Sequence, residues 1–397
     1  MKQLTVWLVL FGAFACGDDE DTADTSGSID PDGPLYVYGT DVFGDDSTTG
    51  FLGAVGGLDG QIGDLSQAVE IPGGGMRFDV IPGTQSIVVR DRENIGMRRF
   101  EVSDAGEFVD TGFVSFQGEG VTNMNTPNVV VSATRMVYFS LDGFAIEWNP
   151  TEMAIEETVT IPTDNPPAGA TVAILNPVEV SGDRVISFLV WVDENFEIEF
   201  GNDIIVYDLN TQTFSVTDES ARDCAAFFSP FDAVPAPDGF VYYANAANSS
   251  GAAVVFEDFP TRPCLRRRLP GSDTFDASFV RYLDEGDALF GGLFAIDSSL
   301  FVTQELDRTL APGDPTFETL NETPVWRWRQ IDSFDPLEVS DLGLDPASGQ
   351  FDSFTLDGTT YLHNWDDADT RLLDLSGDNP TTVFQVTGYV RGFARLR

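Results

Sequence analysis

Short apolar runs recur along the chain at an almost even pitch. They read LYVYGT at Leu35, SIVVRD at Ser86, MVYFSL at Met136, VISFLV at Val185, FVYYAN at Phe240, LFVTQE at Leu300 and TYLHNW at Thr360. Aligned on Tyr36, Ile87, Val137, Ile186, Val241, Phe301 and Tyr361, they are separated by 51, 50, 49, 55, 60 and 60 residues. The runs are rich in β-branched and aromatic residues and bounded by turn residues, which predicts strands. A strand-built period of this length is the pattern of a β-propeller. The expectation is an all-β fold, a seven-bladed β-propeller in one closed domain.

Shorter alternating segments flank each run. In the second repeat, MRFDVI (Met76–Ile81) leads through Pro82-Gly83 to SIVVRD, then GMRRFEV (Gly96–Val102) and FVDTGFVSF (Phe108–Phe116). Pro-Gly and Asp-Ala-Gly supply the turns that hairpins require. Third strands are expected at AAVVFED from Ala252, VWRWRQI from Val325 and RLLDLSG from Arg371. The chain enters at Leu35 on a strong second-strand pattern and ends one strand beyond the seventh repeat, in YVRGFARLR (Tyr389–Arg397). The C-terminal strand is therefore expected to complete the first blade and close the ring, removing the open sheet edges. Insertions at Asp193–Phe200, Ala246–Gly251 and Asp307–Pro324 are candidate binding loops.

The N-terminus has a different character. Lys2 precedes an apolar stretch, Leu4–Phe14, too short to span a bilayer and suited to a signal-peptide core. Ala13-Phe14-Ala15-Cys16 resembles a bacterial lipobox, whose Cys is acylated and becomes the first mature residue. The alternative is plain secretion after the same A-x-A site. Gly17–Pro34 holds seven acids and no base, the composition of a flexible, self-repelling tether. The organisation expected is a signal peptide over 1–15, a lipidated acidic linker over 16–34 and the propeller over 35–397. Gly17, where Asp would mark inner-membrane retention, fits a lipid-anchored envelope protein of the outer membrane.

Charge narrows the partners. The chain has 65 acids against 21 bases, a formal net charge of −44. Such a surface repels phosphate backbones, so no nucleic-acid partner is expected; the lipid anchor is the expected membrane contact. Of three cysteines, Cys16 belongs to the leader, which leaves Cys224 and Cys264 as a candidate disulfide in an oxidising compartment. Closing that loop would be worth roughly 4 kcal/mol in the chain-entropy model.

Candidate chemistry is sparse. The one histidine, His363, excludes multi-histidine metal sites, and no G-x-S-x-G elbow offers it a nucleophile. Tyr361, His363 and Trp365 share a strand face and read as an aromatic packing row. Acids cluster at Asp284, Glu285 and Asp287 and at Asp366, Asp367 and Asp369, where solvated turns are the plain interpretation. No cofactor is expected; Ca²⁺ is the one such acidity would suit, but no calcium-loop motif is present. Arginines gather at Arg90, Arg92, Arg98 and Arg99, and at Arg266, Arg267 and Arg268. Trp326-Arg327-Trp328-Arg329 alternates on a strand. One reading is an anionic-ligand site, with arginines gripping oxygens and tryptophans stacking. The other is local charge neutralisation with tryptophans filling gaps between blades.

The ACGDD start, the YVYGTDVFGDDSTTGFLGAV opening and the blade pitch together resemble the propeller-like lipoproteins of myxobacteria, the MxcI type linked to siderophore transport. The resemblance implies an envelope protein in iron–siderophore handling and carries over no functional residue. Two functions stay open: a membrane-tethered, non-catalytic binding module, or an exported propeller enzyme, a glycan hydrolase or lyase working through carboxylates. A paired-acid cleft at the mouth of the ring would favour the enzyme.

Overall fold

The computed structural model describes residues 29–397 apart from 45–46, 125–127, 164–165, 194–198, 222–223, 225–232, 256–260, 285–286, 350–352, 367 and 378. The lipobox and most of the tether lie outside the described residues. Seven antiparallel sheets follow one another round a ring as the blades of a propeller. Blade 2 runs Phe78–Val80, Ser86–Asp91, Gly96–Val102 and Phe108–Ser115 in spatial order, close to the segments expected from its pattern. Blades 3 to 6 repeat this four-strand order, and blade 7 adds Gln61–Ile62 in parallel on its outer edge.

All seven apolar runs form the second strand of a blade. The physical reason is burial on both faces. Alternate side chains of Ser86–Asp91 point to opposite sides of the sheet. Ile87 and Val89 enter the core shared with blade 1, and Val88 enters the core shared with blade 3. A strand buried on both sides must be apolar at nearly every position, so it stands out in the sequence. Among the described residues, one apolar cluster fills each of the seven gaps between neighbouring blades. The outer strands, with one face in water, alternate and are harder to see.

The C-terminal strand closes the ring. Tyr389–Arg395 pairs antiparallel with Tyr36–Phe43, with Tyr38 opposite Phe393 and Asp41 opposite Tyr389. It takes the first-strand position of blade 1, ahead of Tyr36–Phe43, Thr48–Val55 and Val69–Ile71. Leu35 donates to the Arg397 carbonyl and Leu396 donates back to Leu35. The Arg397 side chain holds the seam from outside, bonding the Gly33 carbonyl and pairing with Asp104.

One expected strand is helical. The described part of AAVVFED, residues 252–255, is not the third strand of blade 5 but belongs to a helix, α1 (Ala247–Val255); residues 256–258 lie outside the described residues, and the third strand is Cys264–Arg268. The Val-Val pair looks like a strand, but the small residues before it let the segment lie against blade 6. A Cβ on Gly291 of the blade 6 first strand would sit 2.4 Å from the Ala247 Cα, so only glycine admits the helix there. A second helix, α2 (Phe317–Glu322), is capped at Thr316, whose side chain accepts from the Thr319 amide. Leu320 of α2 lies against Gly251 of α1.

The three insertions share one face. Each joins a second strand to a third, in blade 4 after Val192, in blade 5 after Ala244 and in blade 6 after Leu306. Residues 194–198 of the first lie outside the described residues. Antiparallel order places the starts of all first strands on the same face.

Candidate functional site

The sequence-salient strand of blade 6 separates its alternating residues cleanly. Trp326 and Trp328 are both fully buried in the core between blades 6 and 7. Trp326 Nε1 donates to the Leu320 carbonyl at 2.6 Å, tying α2 to the blade, and Trp328 Nε1 donates to Asn364 Oδ1 at 3.3 Å. Arg327 and Arg329 point the other way and are paired: Arg327 Nε with Asp307 at 2.5 Å, and Arg329 with Glu305 at 2.6 Å and Asp341 at 3.3 Å. The four residues are thus not brought together around one space. Hydrogen bonds from Thr309 and the Arg327 charge hold the Asp307 carboxyl down at about 2.

Other sequence candidates are also engaged. Cys224 and Cys264 form a disulfide that ties the end of blade 4 to the third strand of blade 5. Arg98 bridges Asp91 and Asp110 at 2.7 and 2.6 Å. Arg267 pairs with Asp276 at 2.8 Å beneath the Phe240 and Phe279 rings, and buried Arg268 pairs with Glu179. Asp284 pairs with Arg262 and Asp366 with Arg371, while Glu285 and Asp367 lie outside the described residues. His363 is fully buried, edge-on to Tyr389 at 4.7 Å and Phe354 at 6.1 Å, with Trp365 against the same Tyr389 ring. Burial, with the Arg391 charge nearby, pushes its pKa down to about 3, so it is neutral and a poor base at physiological pH. Among the described residues, no trio of His, Cys, Asp or Glu side chains gathers as metal ligands. No helix among them is long and apolar enough to cross a membrane.

The face that carries the insertions holds a second arginine group, only half visible in the sequence. Arg90 and Arg92 stand at the end of the blade 2 second strand, Arg77 just before its first strand, and Arg391 near the start of the closing strand in blade 1. Arg90 is buried and donates to the carbonyls of Met124 at 3.2 Å and Gly75 at 3.3 Å. Burial and the charges of Arg77 and Arg92 push its pKa down to about 9, which leaves it a cation at neutral pH. Arg391 donates to Asp41 at 2.8 Å and lies over the Tyr389 ring at 4.4 Å. Arg92 is lowered by burial first; Asp41 opposes that, and Arg391 and Arg77 add to it.

Two carboxylates share this space. Asp41 is buried and spends its oxygens on the Gly75 and Met76 amides, at 2.9 and 3.0 Å, and on Arg391. Asp79 accepts from Asn128 at 3.0 Å, and its burial raises its pKa. The turn Gly73-Gly74-Gly75 makes the assembly possible. All three glycines have positive φ, and a Cβ on Gly75 would meet the Arg92 guanidinium carbon at 2.3 Å. Gly-Gly-Gly just before a first strand was the available sequence signal. Arg391 gave none, because its neighbours come from the opposite end of the chain.

On the other face, where the first strands of blades 5, 6 and 7 end, a cavity of about 720 Å³ is lined by Val234, Pro235, Phe294, Ala295, Ser353 and Thr355 among others. Its carboxylate, Asp297, accepts from Ser299 and Leu300. Among the described residues this recess is largely apolar and holds one acid, not a pair.

No family model and no curated protein sequence matches the chain. Solved structures do. A hypothetical selenium-binding protein from Sulfolobus tokodaii superposes with a TM-score of 0.58 at 8% identity, over 94% of this chain and 97% of that one. A putative 6-phosphogluconolactonase from Bacteroides fragilis superposes with a TM-score of 0.49 at 10% identity, over 93% and 99%. At such identity, what the first likeness carries to this chain is the propeller fold alone.

Proposed function

We propose that this protein is an exported β-propeller, tethered to the cell envelope by lipid on Cys16, that binds a ligand without transforming it. The observation that carries the reading is the convergence of Arg77, Arg90, Arg92 and Arg391 on the face that bears the three insertions, in a chain otherwise dominated by acids. Binding rather than catalysis is favoured by the state of the ionisable groups. His363 is sealed in the core and neutral, Asp41 is committed to two amides and an arginine, and the 720 Å³ recess has, among the described residues, a single, hydrogen-bonded acid. The disulfide and the acidic tether suit an exported protein. The resemblance of the leader and opening to myxobacterial envelope propellers extends the reading to siderophore and iron handling.

The test uses the full-length chain in a Gram-negative host fed an alkynyl palmitate analogue. The wild type should take up label and sediment with membranes, and Cys16→Ala should do neither. The ferric complex of 2,3-dihydroxybenzoate, titrated into detergent-solubilised protein, should bind saturably. An unlabelled, freely soluble wild type would overturn the tether, and lack of saturable binding would overturn the siderophore assignment.

A further inference from the structure

The decisive contrast lies in how the arginines are balanced. Arg98, Arg135, Arg184, Arg267, Arg327 and Arg329 each pair with a carboxylate within hydrogen-bond distance. With acids outnumbering bases three to one, that is the expected fate of any exposed arginine here. Arg77 and Arg92 depart from it. Among the described residues, neither side chain has an ion-pair or hydrogen-bond partner, and the Nε of Arg92 is buried without an acceptor. A guanidinium stays charged at neutral pH and offers five N–H donors. Buried donors left unmade destabilise the state that leaves them so.

The surroundings do not make up the shortfall. Among the described residues, four guanidiniums face two carboxylates. Asp41 has given its oxygens to Gly75, Met76 and Arg391. Asp79, half-buried, is bonded to Asn128, and desolvation raises its pKa, which makes it the weaker counter-charge. The Gly75 carbonyl accepts from the Arg90 guanidinium and from the Arg77 amide, so both of its lone pairs are taken. Among the described residues the group therefore carries excess positive charge, with the Arg92 Nε donor unfilled, at one end of the ring axis.

We infer that Arg77, Arg90, Arg92 and Arg391 form a binding site for a small oxyanion bearing two or more anionic groups, carboxylates or phosphates, with Arg77 and Arg92 as the gripping residues. This deepens the reading that the insertion face binds a ligand and rests on it. Arg90 and Arg391, fixed by backbone carbonyls and by Asp41, set the positive field. Arg77 and Arg92 bring the free forks that match planar oxygen pairs. The acidic exterior repels anions in general, so the site would be reached by compact ligands along the axis and not by a polyanionic polymer.

The experiment is calorimetric titration of the detergent-solubilised full chain at low salt with citrate and with pyrophosphate; acetate and chloride serve as monoanion controls. Citrate or pyrophosphate should bind at least tenfold more tightly than acetate, and added NaCl should weaken the binding. Arg77→Gln and Arg92→Gln should each weaken it at least tenfold, and the paired Arg98→Gln should leave it unchanged. Without anion, Arg92→Gln should melt at the same temperature as the wild type or higher, because a like charge has been removed; this separates lost binding from lost folding. Binding of one probe only supports the site and names its class. Binding of neither, or affinity that survives both substitutions, overturns it. The anchor is read independently: an unlabelled Cys16 with intact citrate binding removes the tether and keeps the site. A labelled, membrane-held chain indifferent to both anions does the reverse.

Discussion

On the third strand of blade 6, Arg327 and Arg329 each reach carboxylates on the second strand, the loop after it or the fourth strand, whereas Arg77 and Arg92 of blade 2 pair with none among the described residues. Arg327 and Arg329 alternate with tryptophans on one strand, whereas Arg77 and Arg92 flank two neighbouring strands of their blade. The difference is where the fold puts them. A residue on the solvent face of a mid-blade strand meets groups one register step away, and in so acidic a chain those groups are acids. A residue at the axial end of a blade meets whatever the neighbouring blades and the ring closure deliver. Here they deliver Arg391 from the far end of the chain and the Gly73–Gly75 turn, which with Met76 takes up Asp41 through backbone amides. Charge excess in a propeller is thus decided between blades and not within them.

The comparison can be broken or sharpened in graded steps. The largest effect belongs to the apolar side of the blade 6 strand. Trp328→Ala should destabilise the protein by about 3–5 kcal/mol, read from urea unfolding, because it empties a large site in a closed core. A loss below about 1 kcal/mol would mean the ring is not cemented there. Next comes the staple between blades 4 and 5. Replacing both Cys224 and Cys264 by serine should cost about 2–5 kcal/mol in the same assay, in line with a loop of some 40 residues.

A smaller change goes to the heart of the axial group. Gly75→Ala places a Cβ in a left-handed position (φ 71°) and against Arg92. It should cost about 1–2 kcal/mol and also weaken citrate binding, whereas Gly83→Ala, left-handed at 76° but with nothing nearby, should lose stability only. The smallest effect is expected from the paired arginines. Arg327→Gln should cost at most about 1 kcal/mol and leave anion affinity unchanged. Its partner makes a pH signature. The Asp307 carboxyl is held at about 2, below its unfolded value, so its contribution is present above roughly pH 4 and lost as pH falls through about 2. Asp307→Asn should flatten the acid limb of the stability–pH profile in that window. An unchanged limb would show that the pair contributes nothing measurable.

Much of the fold was legible because the second strands are buried on both faces. Their runs at Leu35, Ser86 and Met136 through Thr360 set blade number and pitch, and the unpaired ends set the closure. AAVVFED failed as a strand because Ala247 and Gly251 pack on Gly291 and Leu320, contacts that no local pattern announces. The candidate site was legible in part. Arg90 and Arg92 stood out as clustered bases, but Arg98 and Arg99 from the same cluster are engaged elsewhere: Arg98 pairs with Asp91 and Asp110, and Arg99 bonds Thr111. Side-chain alternation says which residues share a face; it does not say which face lacks acids.

Sequence alone determined the wheel of sheets, the pairing of its two ends and the candidate cysteine bridge, because burial periodicity and residue count are properties of the linear chain. Only the tertiary structure decided which cations are balanced. Arg77, Arg92 and Arg391 are brought to one end of the axis by a ring that joins residues more than 300 positions apart, and electrostatic balance depends on distance through space and not along the chain.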